Sequence, residues 1–180
     1  MPPETRRLVE DLAATHRAAN AYRALMRLGL AALPAVREGL GHESADVRYH
    51  CCRFVDHWLE PDVLGDLMSM LDDVDERVRM SVLHTLACDR CKEGSCRPDE
   101  VAVLGPAVNL LARDPSAHVR AMAIEVVGRS VHTSWFAEEA LLNARSSDPS
   151  PAVRKKAGWY LPGGAIHRRT APRAERRRAG

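Results

Sequence analysis

Four residues with metal-binding side chains lie close together near the middle of the chain. They follow the pattern His-x3-Cys-x2-Cys-x4-Cys and are His84, Cys88, Cys91 and Cys96. One imidazole and three thiolates form a recognised tetrahedral ligand set for structural zinc. Only the Cys-x2-Cys half has firm metal-site spacing, so three unligated loop cysteines are the alternative. We predict a structural zinc ion that staples this segment, and no other cofactor.

Other cysteine chemistries fit this chain poorly. An iron–sulfur cluster needs a fourth cysteine that the group lacks, and a thioredoxin-type Cys-x2-Cys needs a βαβ unit. Cys51 and Cys52 fall on apolar helix positions, so we expect them to be small buried hydrophobic residues. The chain has five cysteines, an odd number, and no apolar export segment follows its first charged residues. We therefore expect no disulfide framework.

The elements that must position these residues are repeated along the chain. Four times a polar or acidic turn is followed by Val-Arg and then by a segment rich in small residues. The dipeptides are Val47-Arg48, Val78-Arg79, Val119-Arg120 and Val153-Arg154, at intervals of 31, 41 and 34 residues. A period of about 20–50 residues is typical of stacked helical hairpins. The longest interval contains the cysteine cluster, which we interpret as an insertion over residues 88–98.

Each repeat is predicted to consist of a first helix, the turn and a second helix. In residues 61–73 and 98–114, apolar residues three and four apart predict first helices with one buried stripe. These stripes are Val63, Leu64, Leu67, Met70 and Leu71 in one helix and Val101, Leu104, Val108 and Leu111 in the other. In the second helices, the positions four and eight residues after each valine should face the core. We expect the arginines to bind acidic turns of neighbouring repeats.

This pattern resembles the HEAT-repeat family, in particular the short HEAT-like repeats that also occur in phycobilin lyases. The resemblance covers roughly residues 20–161. It implies an all-α fold, a short α-solenoid (superhelix) of about four HEAT-like hairpins with an N-terminal capping helix region. We assign residues 1–161 to this repeat domain. Residues 162–180 have too little apolar content to fold, so we predict a disordered basic tail.

The charge of the chain is unevenly distributed. The formal net charge is +2, but residues 162–180 carry six Arg and one Glu, so the repeat domain is acidic. No apolar run approaches the ~20 residues of a membrane span. We therefore expect a cytoplasmic protein without membrane contact. Arginine outnumbers lysine 23 to 3, a bias that we interpret as high-GC coding in a bacterium.

Some HEAT-like proteins are enzymes, but the motifs of those enzymes are missing here. Deoxyhypusine hydroxylases place a His-Glu pair directly after the Val-Arg of successive repeats to hold two irons. The matching pairs in this chain are Tyr49-His50, Met80-Ser81, Ala121-Met122 and Lys155-Lys156. The sequence also offers no recognisable Ser/His/Asp set, phosphate-binding loop or pair of carboxylates. We name no catalytic residue and favour a non-catalytic function.

The sequence favours a protein-binding adaptor or scaffold. A solenoid can bind a partner on its concave face, which the second helices of the hairpins should form. The partner contacts that we expect on this face are Tyr49, Arg53, His57, Glu125, Lys155 and Trp159. The alternative is a nucleic-acid-binding or DNA-repair protein resembling the alkylpurine DNA glycosylases, aided by the Arg-rich tail. The acidic repeat domain weakens this alternative, because duplex binding needs several cations on one face.

Overall fold

The computed structural model describes residues 3–87 and 98–172, and its regular secondary structure is helical. No β-strand occurs within these two ranges. The chain divides into two compact units, Met1–Arg97 and Pro98–Gly180. Within the described ranges, none of the helices is long and apolar enough to cross a membrane.

The first unit is built from helices that pair in chain order. They are α1 (Pro3–Asp11), α2 (Thr15–Leu28), α3 (Leu33–Gly39), α4 (Ala45–His57), α5 (Leu64–Ser69) and α6 (Glu76–Ala87). Helix α1 packs against α2, α3 against α4, and α4 against α6. A 3-10 turn at Gly29–Ala32 leads into α3, and another at Met70–Asp72 ends α5. The α1–α2 pair takes the place of the predicted capping region.

The second unit repeats this arrangement. Its helices are α7 (Glu100–Arg113), α8 (Ala117–Val127), α9 (Trp135–Ser147), α10 (Pro151–Tyr160) and α11 (Ala165–Thr170). Helix α7 packs against α8 and α9 against α10, and the two second helices, α8 and α10, also contact each other. A 3-10 turn at Gly128–Ser130 follows α8.

The predicted core positions of the second helices are confirmed. The valine of each Val-Arg pair is completely buried. The residues four and eight positions later are also buried, and they are Cys51, Val55, Val82, Leu86, Ala123, Val127, Ala157 and Leu161. Since several of these side chains are small, neighbouring helices can approach closely.

The acidic turns fix where the second helices begin. Asp114 and Asp148 each accept a hydrogen bond at 2.8 Å from the backbone N–H of the serine two residues later. This side-chain turn holds the backbone extended just before the helix. The hydroxyl of Ser116 then accepts the N–H of His118 and caps α8. In both repeats, the aspartate of the turn is therefore hydrogen-bonded to the residue that precedes the helix.

The predicted stripe of α7 is wrong at three of its four positions. Val101 is 81% exposed, and Leu104 and Val108 are only partly covered. The helix buries Leu111 as predicted, together with Val103, Ala107 and Leu110. Both sets have helical periodicity in this apolar helix, so the spacing did not distinguish them. The packing of α7 against α8 and α9 selects the stripe.

The first helix of the preceding repeat is shorter than predicted. Residues 61–73 contain only the six-residue helix α5 and the 3-10 turn that follows it. Val63, Leu67 and Leu71 are buried as expected, whereas Leu64 and Met70 are partly exposed.

The prediction of a disordered tail is wrong for residues 165–170, which form α11. Pro162 and the glycines after it end α10 as expected, with Gly163 at a φ of 85°. The chain then turns back onto α10. The Thr170 hydroxyl lies 3.0 Å from Nε2 of His132, and Ala171 is buried. These contacts hold α11 despite its low apolar content.

Candidate functional site

Two arginines of the Val-Arg pairs join neighbouring repeats, as predicted. Arg48 donates Nε and Nη2 hydrogen bonds of 2.6 and 2.8 Å to the carboxylate of Asp73. Arg120 binds Asp148 in the same way, at 2.8 and 3.0 Å. All four side chains are largely buried. Two parallel bonds from one guanidinium fix distance and orientation together, so these pairs set how the second helices face one another.

The arginines also close their own turns. Nη1 of Arg120 donates to the backbone carbonyl of Asp114 at 2.8 Å. Arg79 and Arg154 donate to the corresponding carbonyls, those of Asp73 and Asp148. These arginines are therefore structural, which leaves the exposed side of the second helices for binding.

The ion pairs lower the pKa of their carboxylates. Burial alone would raise the pKa of Asp148, but hydrogen bonds from Arg120 and from the Ser150 N–H outweigh it and hold the pKa below the ordinary value. The pKa of Asp73 is lowered in the same way by Arg48 and by the Asp75 N–H. Both carboxylates are therefore ionised at neutral pH.

A cluster of aromatic and cationic side chains lies on the exposed side of the second helices in the first unit. The guanidinium carbon of Arg53 lies 4.9 Å from the ring centroid of Tyr22 and 5.7 Å from that of Tyr49. The Arg77 guanidinium also lies over Tyr49, at 5.8 Å. Two predicted contacts, Tyr49 and Arg53, are thus brought together. Tyr22, from α2, completes the cluster and was missed because α2 carries no Val-Arg marker.

The cations of this cluster differ in their partners. Arg77 binds the carboxylates of Asp46 and Asp75 at 2.9 and 2.8 Å. Arg23 donates to the Ala19 carbonyl, and also to a nearby amide side chain of its own helix. Arg53 is exposed and has no hydrogen-bond acceptor among the residues that the structure describes.

His50 lies between the two tyrosines. Its ring centroid is 5.6 Å from that of Tyr22 and 5.3 Å from that of Tyr49. Nδ1 is buried and has no hydrogen-bond partner within the described part of the protein. Burial lowers the pKa of His50, and the positive charges of Arg53 and Arg77 lower it further. The imidazole is therefore neutral at pH 7.

His57 and His84 lie away from this cluster, toward the C-terminal ends of α4 and α6. His57 is partly buried. His84 is exposed, as predicted, and its Nε2 lies 3.6 Å from the carboxylate of the buried Asp56. The three proposed zinc ligands Cys88, Cys91 and Cys96 lie outside the described residues. Within the described residues, no three His, Cys, Asp or Glu side chains are grouped to hold a metal ion.

The second unit has a smaller pair of the same kind. The ammonium of Lys155 lies 6.0 Å from the ring centroid of Trp159, and the tryptophan is 42% exposed. Lys155 has no hydrogen-bond acceptor in the described part of the chain. Glu125, the third predicted contact of this unit, binds Lys156 at 2.6 Å instead. Lys155 and Trp159 are therefore brought together, and the charge of Glu125 is already matched.

A separate groove lies between α7 and α9, near the turns. It has a volume of about 600 Å³ and is lined by Val108, Leu111 and Phe136 beside the Arg120–Asp148 pair. Phe136 and its neighbour Trp135 are among the exposed large apolar residues of this unit. They were not predicted from the sequence, because no Pro-Asp helix start precedes α9.

The fold is shared with solved repeat proteins. No protein-family model matches the chain, and no curated protein matches its sequence. A designed armadillo repeat protein in complex with the peptide (KR)4 matches with a TM-score of 0.57 and 19% identity, covering 87% of this chain and 80% of that one. An engineered protein from a structural genomics programme matches with a TM-score of 0.51 and 17% identity, covering 87% and 77%.

These similarities and the paired helices define the class of the protein. It is an all-α repeat protein with the fold of a short α-solenoid. The predicted fold class is thereby confirmed at the level of a helical repeat solenoid.

Proposed function

We propose that this chain is a non-catalytic adaptor of the HEAT-repeat type that binds a protein partner through the exposed side of its second helices. One observation carries the proposal. Counted from the valine of the Val-Arg pair, positions two and six hold Tyr49 and Arg53 in α4, and Lys155 and Trp159 in α10. In both helices an aromatic ring and a cation one turn apart contact each other, in reversed order.

Such pairs suit recognition of another protein. Positions four apart lie on the same face of a helix, so each ring and its cation present one continuous surface. Tyrosine, tryptophan and arginine are the residues that most often dominate binding energy at protein interfaces. The cations of both pairs have no acceptor within the protein, as far as the structure describes it, and their donors are available to a partner.

The repeat architecture supports the same function. Stacked repeats present extended binding surfaces, and the matching designed armadillo protein was solved with a bound peptide. We propose that the second helices of this chain likewise bind a peptide segment of a partner on their exposed side.

The proposal is tested by partner capture with two triple variants. Tyr49→Ala, Arg53→Ala and Trp159→Ala together should reduce capture from a native lysate at least tenfold, since interface residues of this kind each contribute about 2 kcal/mol. The control combines Trp135→Ala, Leu142→Ala and Arg145→Ala, which removes similar exposed side chains from the first helix α9. Undiminished capture by the first variant, quantified by mass spectrometry, would refute the proposal.

We also retain the structural zinc site as a proposal. His84 is exposed at the end of α6, and the three cysteines follow it in the sequence. Zinc would use one nitrogen and three thiolates at this site.

A further inference from the structure

Arg53 is a cation held in place without being neutralised. The rings of Tyr22 and Tyr49 lie 4.9 and 5.7 Å from its guanidinium carbon, and such contacts attract a cation without occupying its N–H donors. No carboxylate of the described residues lies within ion-pair distance of Arg53. A guanidinium that is positioned but unpaired is suited to bind a planar anion with two parallel hydrogen bonds.

The Arg53 guanidinium lies in the wall of a cleft rather than on a flat surface. The cleft lies between α2 and α4 and has a volume of about 490 Å³. Its walls include Tyr22, Arg23, His50 and Arg53, with Leu12 and alanines of α2 between them. The buried Nδ1 of His50 lacks a hydrogen-bond partner within the described residues. A buried polar atom of this kind is costly unless a ligand or water satisfies it.

We propose that this cleft binds a carboxylate side chain of an acidic peptide segment in the partner protein. The inference rests on the proposed function and names the chemistry of the partner. Arg53 binds both carboxylate oxygens, and the His50 ring forms part of the wall beside it.

The charges around the cleft favour this ligand over others. A basic segment, such as the (KR)4 peptide of the matching armadillo complex, would meet the unpaired Arg53. The carboxylate of Asp46, which also lines the cleft, is bound by Arg77 at 2.9 Å. Nucleic acid is less favoured, because its affinity requires several phosphate contacts. Arg77 and Arg23 already bind acceptors within the protein.

The experiment uses the full chain and labelled peptides at an ionic strength of about 0.15 M. The acidic peptide (DE)4, the basic peptide (KR)4, a neutral (GS)4 peptide and a short single-stranded oligonucleotide are compared by fluorescence anisotropy. Arg53→Gln and Arg23→Gln remove one positive charge each from the same cleft, so the second is a matched control. Arg53→Lys keeps the charge but removes the two-pronged geometry. Circular dichroism checks that each variant is folded.

The expected result is that (DE)4 binds more tightly than the other probes. Arg53→Gln should weaken this binding about tenfold or more, as a lost charge-assisted hydrogen bond predicts. Arg53→Lys should give a smaller loss, and Arg23→Gln a change of less than about threefold.

Other outcomes overturn the inference. Equal losses in the two glutamine variants would show unspecific charge attraction, and tighter binding of the oligonucleotide would assign the cleft to nucleic acid. If (KR)4 or (GS)4 binds best and the triple variant still loses partner capture, the carboxylate site is refuted while the adaptor function stands. If no peptide binds and the triple variant captures normally, both proposals fail.

Discussion

Arg120 of α8 and Asp148 of the turn before α10 form a buried, doubly hydrogen-bonded ion pair, with bonds of 2.8 and 3.0 Å. The exposed fractions of their side chains are 9% and 4%. Asp148 also accepts the N–H of Ser150 at the start of α10. One carboxylate therefore links the repeats and shapes the turn, so its loss should affect both.

Removing the charge of Asp148 should destabilise the protein strongly. Asp148→Asn keeps the shape of the side chain but leaves the buried guanidinium without its counter-ion, and breaking such a pair typically costs about 3 kcal/mol or more. The measurement is urea unfolding at pH 7. The control is Asp46→Asn, because Asp46 is paired with Arg77 on the surface and should cost less than about 1 kcal/mol. Equal effects of the two variants would contradict a special role of the buried pair.

Stability should fall in acid through the same carboxylates. The pKa of Asp148 is lower in the folded protein than its ordinary value of 3.8. Between these two pKa values the native state binds fewer protons than the unfolded state. The ion pair therefore makes its full contribution to the free energy of unfolding above pH 3.8. This contribution is lost as the pH falls through the lowered pKa of Asp148. The difference in unfolding free energy between wild type and Asp148→Asn should shrink over this interval. A difference that stays constant with pH would refute the prediction.

The pKa of His50 should report the charge of Arg53. Arg53 is one of the causes that lower this pKa, after burial. Arg53→Gln should therefore raise the pKa of His50, because the protonated ring loses an unfavourable neighbour. An NMR titration of the imidazole signals measures the shift, with Arg23→Gln as the control. No shift in the Arg53 variant would show that the two groups are farther apart in solution.

Gly128 should tolerate no side chain without a rearrangement of Tyr160. A Cβ atom at this position would lie 2.1 Å from Cδ1 of the tyrosine ring, so Gly128→Ala forces the ring away at a cost of about 1–3 kcal/mol. Gly105, inside α7, is the control, since a Cβ there has no neighbour within 4 Å among the residues described. Gly105→Ala should stabilise the helix by about 0.5–1 kcal/mol. Thermal unfolding should show a lower melting temperature for Gly128→Ala and a higher one for Gly105→Ala than for the wild type.

Metal content tests the zinc prediction. Elemental analysis of untagged protein should give about one zinc per chain if all four ligands act together, and Cys91→Ser should lose it. The control is Cys52→Ala, because burial raises the pKa of the Cys52 thiol to about 12 and a protonated buried thiol does not bind metal. Wild-type protein without zinc would leave the three cysteines as free thiols.

Residues that belong to the repeated pattern could be predicted from the sequence, whereas residues whose partners lie on other helices could not. The buried positions after each Val-Arg and the contacts of Arg48 and Arg120 were predicted correctly, because the Val-Arg pair and the turn before it recur along the chain. The stripe of α7 was not, because two faces of that helix are equally apolar. Tyr22 was missed since it reaches Arg53 from a helix that shares no motif with α4.

The sequence by itself determined the helical repeats, their turns and the core positions of the second helices. These depend on neighbours within one or two helical turns, and such local spacing can be read directly from the chain. Only the tertiary structure decided which cation stays unpaired. Arg23 finds its acceptors within its own helix, whereas packing places the carboxylate of Asp46 beside Arg77 and tyrosine rings beside Arg53. The Arg77–Asp46 and Arg53–Tyr22 contacts each join residues 31 positions apart in the chain.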